Sequence, residues 1–388
     1  MVLHTRVVSG SGGGPDKTIL NSPRFLRELG YDCACLYLRP PGDMGFQALR
    51  DRAQAWKAPL EEIDDRGAWD IGIVRRSLEV CRRLNVAVWH GHDYKSNLLG
   101  VLLRKWYPMR LVTTAHGWVH HTRSTRLYYK ADRWSMKRYE RVVCVSPDLL
   151  EECRAFGVRD ERSLLIENAI DTQQFRRRRS TEEAKRALGL PADVPLIGAV
   201  GRLSAEKGFD RLLTSVSELH KRGVRANLAI IGDGDQRGYL ESLIAKIELT
   251  NHVRLVGFHP NPTDWYEAMD VFSLSSLREG LPNVVLEAMA LETPVVVTRV
   301  AGVPRLVEHD VSGLIVPIDD TNALTTALSR LLKDDGLRRR LAAAARRVIE
   351  IRYSFSMRME KIAAVYRELG VPPGQAPVPG DAIASGAP

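Results

Sequence analysis

Pro195-Leu196-Ile197-Gly198-Ala199-Val200-Gly201-Arg202-Leu203-Ser204-Ala205-Glu206-Lys207-Gly208 decides the fold. Pro195 to Val200 is a short apolar run of strand length, Gly201 breaks it, and Gly208 opens a helical segment that reaches Arg222. Strand, loop and helix in that order make one limb of a βαβ crossover, the unit of parallel sheets covered by helices. The same alternation continues outward. Ala226 to Ile231 reads as a strand, Gln236 to Ile247 as a helix, and Val253 to Val256, Asp270 to Ser275, Pro294 to Thr298 and Gly313 to Val316 as further strands. Helices over Asn322 to Lys333 and Leu337 to Ile349 follow.

The first half has its own series. Thr5 to Val8, Cys33 to Leu38, Val86 to His90, Leu111 to Thr114 and Arg141 to Val145 read as strands, with a helix over Asp16 to Leu29 that Gly30 ends. The charged run Arg176 to Arg179 and Ser180 to Glu183 interrupts the pattern as a linker into a helix. Tyr353 to Leu369 is an amphipathic helix with Phe355, Met359, Ile362, Val365, Tyr366 and Leu369 on one face. The fold class is therefore α/β, two tandem Rossmann-like domains with parallel sheets. Their expected bounds are 1–172 and 173–351, followed by a helix at 352–370 and a disordered Pro/Gly/Ala-rich tail at 371–388.

Composition narrows the class. The 388 residues are 44% hydrophobic and 27% charged, enough core for two domains of about 150 residues and unlike a disordered chain. The longest apolar runs, Leu98 to Leu103 and Pro294 to Val297, fall well short of a membrane span, and the first residues show no secretory pattern. The expected location is cytoplasmic. Five cysteines, an odd count without paired CxxC spacing, read as buried thiols of a reduced compartment. The net charge of +9 leans to the first half and is densest over Arg123 to Arg141, where Arg126, Lys130, Arg133, Lys137, Arg138 and Arg141 interleave with Tyr128, Tyr129, Trp134 and Tyr139. That stretch reads either as a solvated helix face with its aromatics turned inward or as a surface for an anionic acceptor or lipid headgroups.

Three stretches carry chemistry. Ser9-Gly10-Ser11-Gly12-Gly13-Gly14-Pro15-Asp16-Lys17-Thr18 is a glycine-rich strand-to-helix turn of the kind that admits anions. It is not a P-loop, since Ser11 and Asp16 fill the obligatory glycine positions, and Pro15 breaks the GxGxxG fingerprint. Arg202 and Lys207 place two cations on a loop at the C-terminal edge of a strand, where they can converge on a diphosphate. Each such charge-assisted hydrogen bond contributes roughly 1.5–3 kcal/mol. Glu279-Gly280-Leu281-Pro282-Asn283-Val284-Val285-Leu286-Glu287 spaces one carboxylate on a loop and the next about one turn into a helix. A carboxylate accepts a fork of hydrogen bonds from vicinal hydroxyls, and the helix start suits phosphate oxygens.

Gly201-Arg202 with Lys207-Gly208, Gly257-Phe258, Glu279 to Glu287, and Ala301-Gly302-Val303-Pro304 together resemble the nucleotide-sugar half of retaining glycosyltransferases of family 4. The resemblance covers roughly residues 1 to 370 and is strongest from 195 to 320. It implies the GT-B fold, two Rossmann-like domains facing across a cleft. It implies that Arg202 and Lys207 hold the donor diphosphate, that Glu279 orients the sugar, and that Glu287 binds the ribose. Phe258, Gly280, Leu281, Pro282 and Asn283 would line the donor pocket, with Gly13 and Gly14 on the opposite wall. His116, in Thr114-Ala115-His116-Gly117, matches a histidine near the reacting sugar and reads equally as a hydrogen-bonded strand end. The helix Tyr353 to Leu369 resembles one that crosses back to the first domain. Pro15-Asp16-Lys17 departs from the pattern of relatives that carry an acidic residue soon after the paired glycines. His90 and His92, flanking Gly91, lack a carboxylate or Cys at ligand spacing and read as structural, so no metal ligand is assigned.

The implied reaction is retaining transfer of a sugar from a nucleotide-diphosphate donor, with UDP- or GDP-sugars first in line. The acceptor is a hydroxyl of a glycan or lipid-linked glycan, in cell-surface polysaccharide or glycolipid synthesis. Charge on the leaving diphosphate is met by Arg202, Lys207 and the helix start, so no metal and no other cofactor is required. Nucleic acid is not an expected partner; peripheral contact with an anionic membrane through Arg123 to Arg141 is. The alternatives are a nucleotide-sugar epimerase or hydrolase on the same fold, and a basic anion- or nucleic-acid-binding module.

Overall fold

A computed structural model describes residues 1–67, 70–117, 123–259 and 261–374. The chain divides into two compact units, Met1–Glu167 joined by the chain from Ser356 onward, and Asn168–Phe355.

The first unit is built on strands β1 (Val2–Val7), β2 (Cys33–Arg39), β3 (Leu60–Asp64), β4 (Val88–Gly91), β5 (Arg110–Ala115), β6 (Arg141–Cys144) and β7 (Ser163–Leu165). Their order is β3-β2-β1-β4-β5-β6-β7, and every pairing is parallel. The second carries β8 (Leu196–Val200), β9 (Asn227–Ile231), β10 (Val253–Gly257), β11 (Val271–Leu274), β12 (Val295–Thr298) and β13 (Leu314–Val316), ordered β10-β9-β8-β11-β12-β13 and again parallel. The order of strand addition reverses once in each sheet, between β1 and β4 and between β8 and β11. At such a switch point the connections leave toward opposite faces, and the gap between their loops is where α/β sheets bind ligands.

Burial follows from the sequence. The strands β8, β11, β12 and β13 are apolar nearly end to end, as strands covered on both faces must be. The helix Gly14–Glu28 holds a proline, Pro23, that removes the backbone N–H aimed at the carbonyl four residues back. That carbonyl, of Ile19, accepts instead from the buried Cys35 thiol at 3.3 Å. All five cysteines are buried free thiols.

Three expectations need correction. The run Arg176 to Arg179 is not a free linker. Arg177 donates to the Leu291 and Glu267 carbonyls, and Arg179 pairs with Glu267 and Asp264, so the run is bolted to the second unit. Strands β3 and β7 were not expected from the sequence. The expected disordered tail begins too early, because Val371 is tied down by a Tyr31 hydroxyl that donates to its carbonyl; residues 375–388 lie outside the described residues. The C-terminal helix, Phe355–Glu368, buries Phe355, Met359, Ile362, Val365 and Tyr366, and from Ser356 it belongs to the first unit.

Candidate functional site

In the second unit, the loop after β8 and the loop after β11 meet at the switch point. Gly208, with φ of +60°, ends the first loop, and a Cβ there would lie 2.3 Å from the Ser275 carbonyl oxygen of the second. Leu277 N–H donates to the Glu206 carbonyl at 2.8 Å and Ser275 Oγ to the Lys207 carbonyl at 3.0 Å, so the two loops are stitched together. Gly302, after β12, presses on the Gly280 carbonyl so closely that an added Cβ would sit 1.9 Å from its oxygen.

This seam fixes the charged groups. Lys207 Nζ lies 2.6 Å from Glu279 Oε1, and Ser276 Oγ donates to the same oxygen at 2.8 Å. Both charged side chains are largely covered, which strengthens the pair relative to one in open water. Arg202 stands apart from this pair. Its side chain is 66% exposed and touches Glu206 one turn on at 3.0 Å, a contact that costs little to break when an anion arrives. Gly280 and Asn283 are exposed, while Leu281 and Pro282 are buried. The helix Asn283–Ala290 starts at Pro282 with no capping side chain, which leaves its first N–H groups for a ligand. Glu287 is 4% exposed and takes the Tyr266 hydroxyl on Oε2 at 3.0 Å. Phe258, after β10, is 74% exposed. The structure thus brings Lys207, Glu279 and Gly280 to Asn283 together, and sets Glu287 one turn deeper. Ser276 and Tyr266, which complete the carboxylate contacts, carry no motif and were missed.

In the first unit, Gly13 caps the helix Gly14–Glu28 and donates its N–H to Asp16 Oδ2 at 2.6 Å. Asp16 is fully buried and also receives the Tyr37 hydroxyl and Arg6. An acidic residue therefore does stand behind the paired glycines, and its work is to hold the loop shape.

His116 follows β5 and does not stand alone. His92 Nδ1 lies 3.0 Å from His116 Nε2, and His4 Nδ1 lies 2.8 Å from His92 Nε2. His90 stacks on both His4 and His92, with its own nitrogens taken by the Tyr366 and Thr114 hydroxyls. Burial holds all four imidazoles far below their usual range, and for His4 burial and the Arg358 guanidinium together lower it to about 3. His4, in mid-strand, was missed by the sequence reading. Its only signal is pairing across the sheet, where it stands opposite His90.

These shifts set a pH dependence. The unfolded histidines protonate near 6.5 and the folded ones only well below it, so below about pH 6.5 the unfolded chain binds more protons and stability falls. We expect urea unfolding to show a loss of stability that starts near pH 6.5, above the range in which carboxylates titrate. A stability that stays flat from neutral pH down to the carboxylate range would contradict neutral buried imidazoles.

The basic helix, Arg123–Met136, and the turn after it point only some of their aromatics inward. Tyr139 is buried, whereas Trp134 is 46% exposed with the Arg138 guanidinium 3.6 Å from its ring centre. Arg133 pairs with Glu152 and Arg141 with Glu368. The side chains of Arg123 and Arg126 lie outside the described residues. No helix among the described residues is long and apolar enough to cross a membrane.

Comparisons with known proteins agree with this geometry. The family described as Glycosyl transferases group 1 matches residues 180–348, and that described as Glycosyltransferase Family 4 matches residues 12–174. An uncharacterized glycosyltransferase of Methanocaldococcus jannaschii is 30% identical over 296 residues, covering 72% of this chain and 75% of its own. The lipopolysaccharide core biosynthesis mannosyltransferase LpsB of Rhizobium meliloti is 29% identical over 368 residues, 92% of this chain and 94% of its own. Among solved structures, Anabaena HepE in complex with UDP superposes with a TM-score of 0.80 at 19% identity, covering 95% of this chain and all of that one, which shows the fold. With two parallel Rossmann-like sheets and these relatives, the chain belongs to glycosyltransferase family 4 and is a glycosyltransferase of the GT-B fold.

Proposed function

We propose that this glycosyltransferase takes its sugar from a nucleoside-diphosphate donor, UDP- or GDP-linked, and passes it to a glycan or lipid-linked glycan hydroxyl with retention of anomeric configuration. The observation that carries the reading is the Lys207–Glu279 pair at 2.6 Å beside the uncapped helix start. A cation, a carboxylate and free N–H groups side by side suit a diphosphate next to a sugar bearing hydroxyls. The UDP in the HepE complex and the core-biosynthesis name of LpsB support the donor and acceptor classes.

In the reaction the bond from the anomeric carbon to the diphosphate oxygen breaks and a bond to the acceptor oxygen forms on the same face. The acceptor proton passes to the departing phosphate oxygen. Lys207, Arg202 and the N–H groups at Asn283 meet the charge that develops on the diphosphate. Glu279 orients the sugar, and Glu287 accepts from the ribose. Gly280, Leu281, Pro282 and Phe258 line the donor pocket, and Gly13, Gly14 and His116 would serve the sugar. Protein groups supply the positive charge, so transfer needs no metal ion. Treatment with EDTA is expected to leave the rate within about twofold; a loss that Mg²⁺ or Mn²⁺ restores would contradict this assignment. The basic surface around Lys130, Trp134, Lys137 and Arg138 would rest on anionic lipid headgroups, a peripheral site at the inner membrane face.

The test is NMR analysis of products from UDP- and GDP-sugars with and without an oligosaccharide acceptor. An α-linked product from an α-linked donor supports the reading. An inverted linkage, or a new nucleotide sugar formed without acceptor, would overturn it.

A further inference from the structure

The three hydrogen-bonded histidines lie at the switch point of the first sheet and bear on the proposed reaction. His4, His90 and His92 bring ring nitrogens within 4.8 Å of one another, a spacing that invites a metal. Their orientation does not. The rings of His90 and His92 are tilted by only 9° and those of His4 and His92 by 25°, so they stack rather than converge on one centre. Both nitrogens of His90 and both of His92 are already in hydrogen bonds. The arrangement is a line of imidazoles, His4 to His92 to His116.

Each N···N contact holds one proton, so the tautomer of one ring fixes the others. The inner end decides the direction. His4 Nε2 is buried and has no hydrogen-bond partner among the described residues. It lies in the field of Arg358, a buried guanidinium whose Nη1 donates to the Ile166 and Glu167 carbonyls. An N–H at that nitrogen would be a buried donor without an acceptor, which is rarer and costlier than an unused lone pair. The proton of His4 therefore sits on Nδ1 and is donated to His92 Nε2. His92 then carries its proton on Nδ1 and donates it to His116 Nε2. His116 is left with its proton on Nδ1.

We propose that His4 and His92 are positioning residues that hold His116 as the neutral Nδ1–H tautomer, so that it acts as a hydrogen-bond donor rather than as a base. This rests on the reading of His116 as a residue beside the reacting sugar. Among the described residues neither end of the line has an acidic partner that would pull the proton back; Arg6 and Arg358 are the charged groups that act on it.

The test uses the full-length protein with ¹⁵N in its ten histidines and no ligand. We expect Nδ1 protonation at His4, His92 and His116, with couplings across the two N–H···N bonds. Nε2 protonation at His116, or absent couplings, would overturn the proposal, and this readout needs no variant to fold. His92→Phe keeps the ring volume and removes both bonds. It should release His116 to the Nε2–H form that free imidazole prefers and lower kcat about tenfold, with the affinity for the nucleoside diphosphate unchanged. A kcat equal to wild type in a folded His92→Phe would overturn the positioning role. A wild type that shows the couplings and binds no nucleotide sugar would overturn the functional reading and the sugar contact with it, while confirming the tautomers.

Discussion

Lys207→Ala is expected to lower kcat about 100- to 1,000-fold, the loss that follows removal of one preorganised group aimed at developing charge. Two effects combine. The diphosphate loses a cation that is already desolvated and aimed by Ser276 and Glu279, so no reorganisation was needed at the moment of transfer. Glu279 in turn loses its counter-charge and keeps the Ser276 hydroxyl as a donor. Arg202→Ala should cost less alone, because its side chain is two-thirds exposed and, among the described residues, tethered only to Glu206. The double variant should have no measurable turnover. Steady-state kinetics with a saturating donor reads the effect, and a melting temperature near that of wild type separates it from misfolding. Turnover by the double variant at the wild-type rate would remove both residues from the mechanism.

The second large effect is at Glu287. Glu287→Gln keeps an oxygen to accept the Tyr266 hydroxyl and keeps the side-chain volume, so the fold should hold. Hydroxyls of the ribose would lose a charged acceptor, and the donor Kd should rise roughly 10- to 100-fold, in line with about 1.5–3 kcal/mol for a hydrogen bond to a charged group. Glu287→Ala should add a stability loss of about 1–3 kcal/mol, because a buried Tyr266 hydroxyl is left without its partner. Calorimetric titration with the nucleoside diphosphate, run beside urea unfolding, separates the two. Equal affinity in Glu287→Gln and wild type would show that Glu287 serves the core alone.

How much of this was legible in the sequence depends on whether a residue's neighbours are near in the chain. The run Pro195 to Gly208 gave away the strand, the loop and the helix because the apolar run and the glycines that bound it are contiguous in the chain. The edge strands were not legible. Leu60–Asp64 holds three carboxylates in five residues, and Glu62 and Glu61 are met by Arg39, Arg50 and Arg83 from elsewhere. Such an edge has no apolar alternation to read. Ser163–Leu165 is three residues long and sits at the other edge. At the site, Arg202, Lys207, Glu279 and Glu287 were readable because spacing and residue type agree. Ser276 and Tyr266 were not, since a serine and a tyrosine on adjoining elements carry no pattern. His92 and His116 lie 24 positions apart and His4 another 88 away, and only the sheet order β1-β4-β5 makes them neighbours.

The central claim is that the loops after β8 and β11 hold a nucleoside-diphosphate sugar. The most direct measurement is the shift in melting temperature with a panel of UDP-, GDP-, ADP- and dTDP-sugars, for wild type, Lys207→Ala and Glu287→Gln. A ligand at 100 times its Kd stabilises the folded state by about 2.7 kcal/mol, ample for a resolved shift. The account predicts that one nucleotide series raises the wild-type transition and that both variants lose most of the shift. No response to any donor, or a shift that survives intact in both variants, would contradict it.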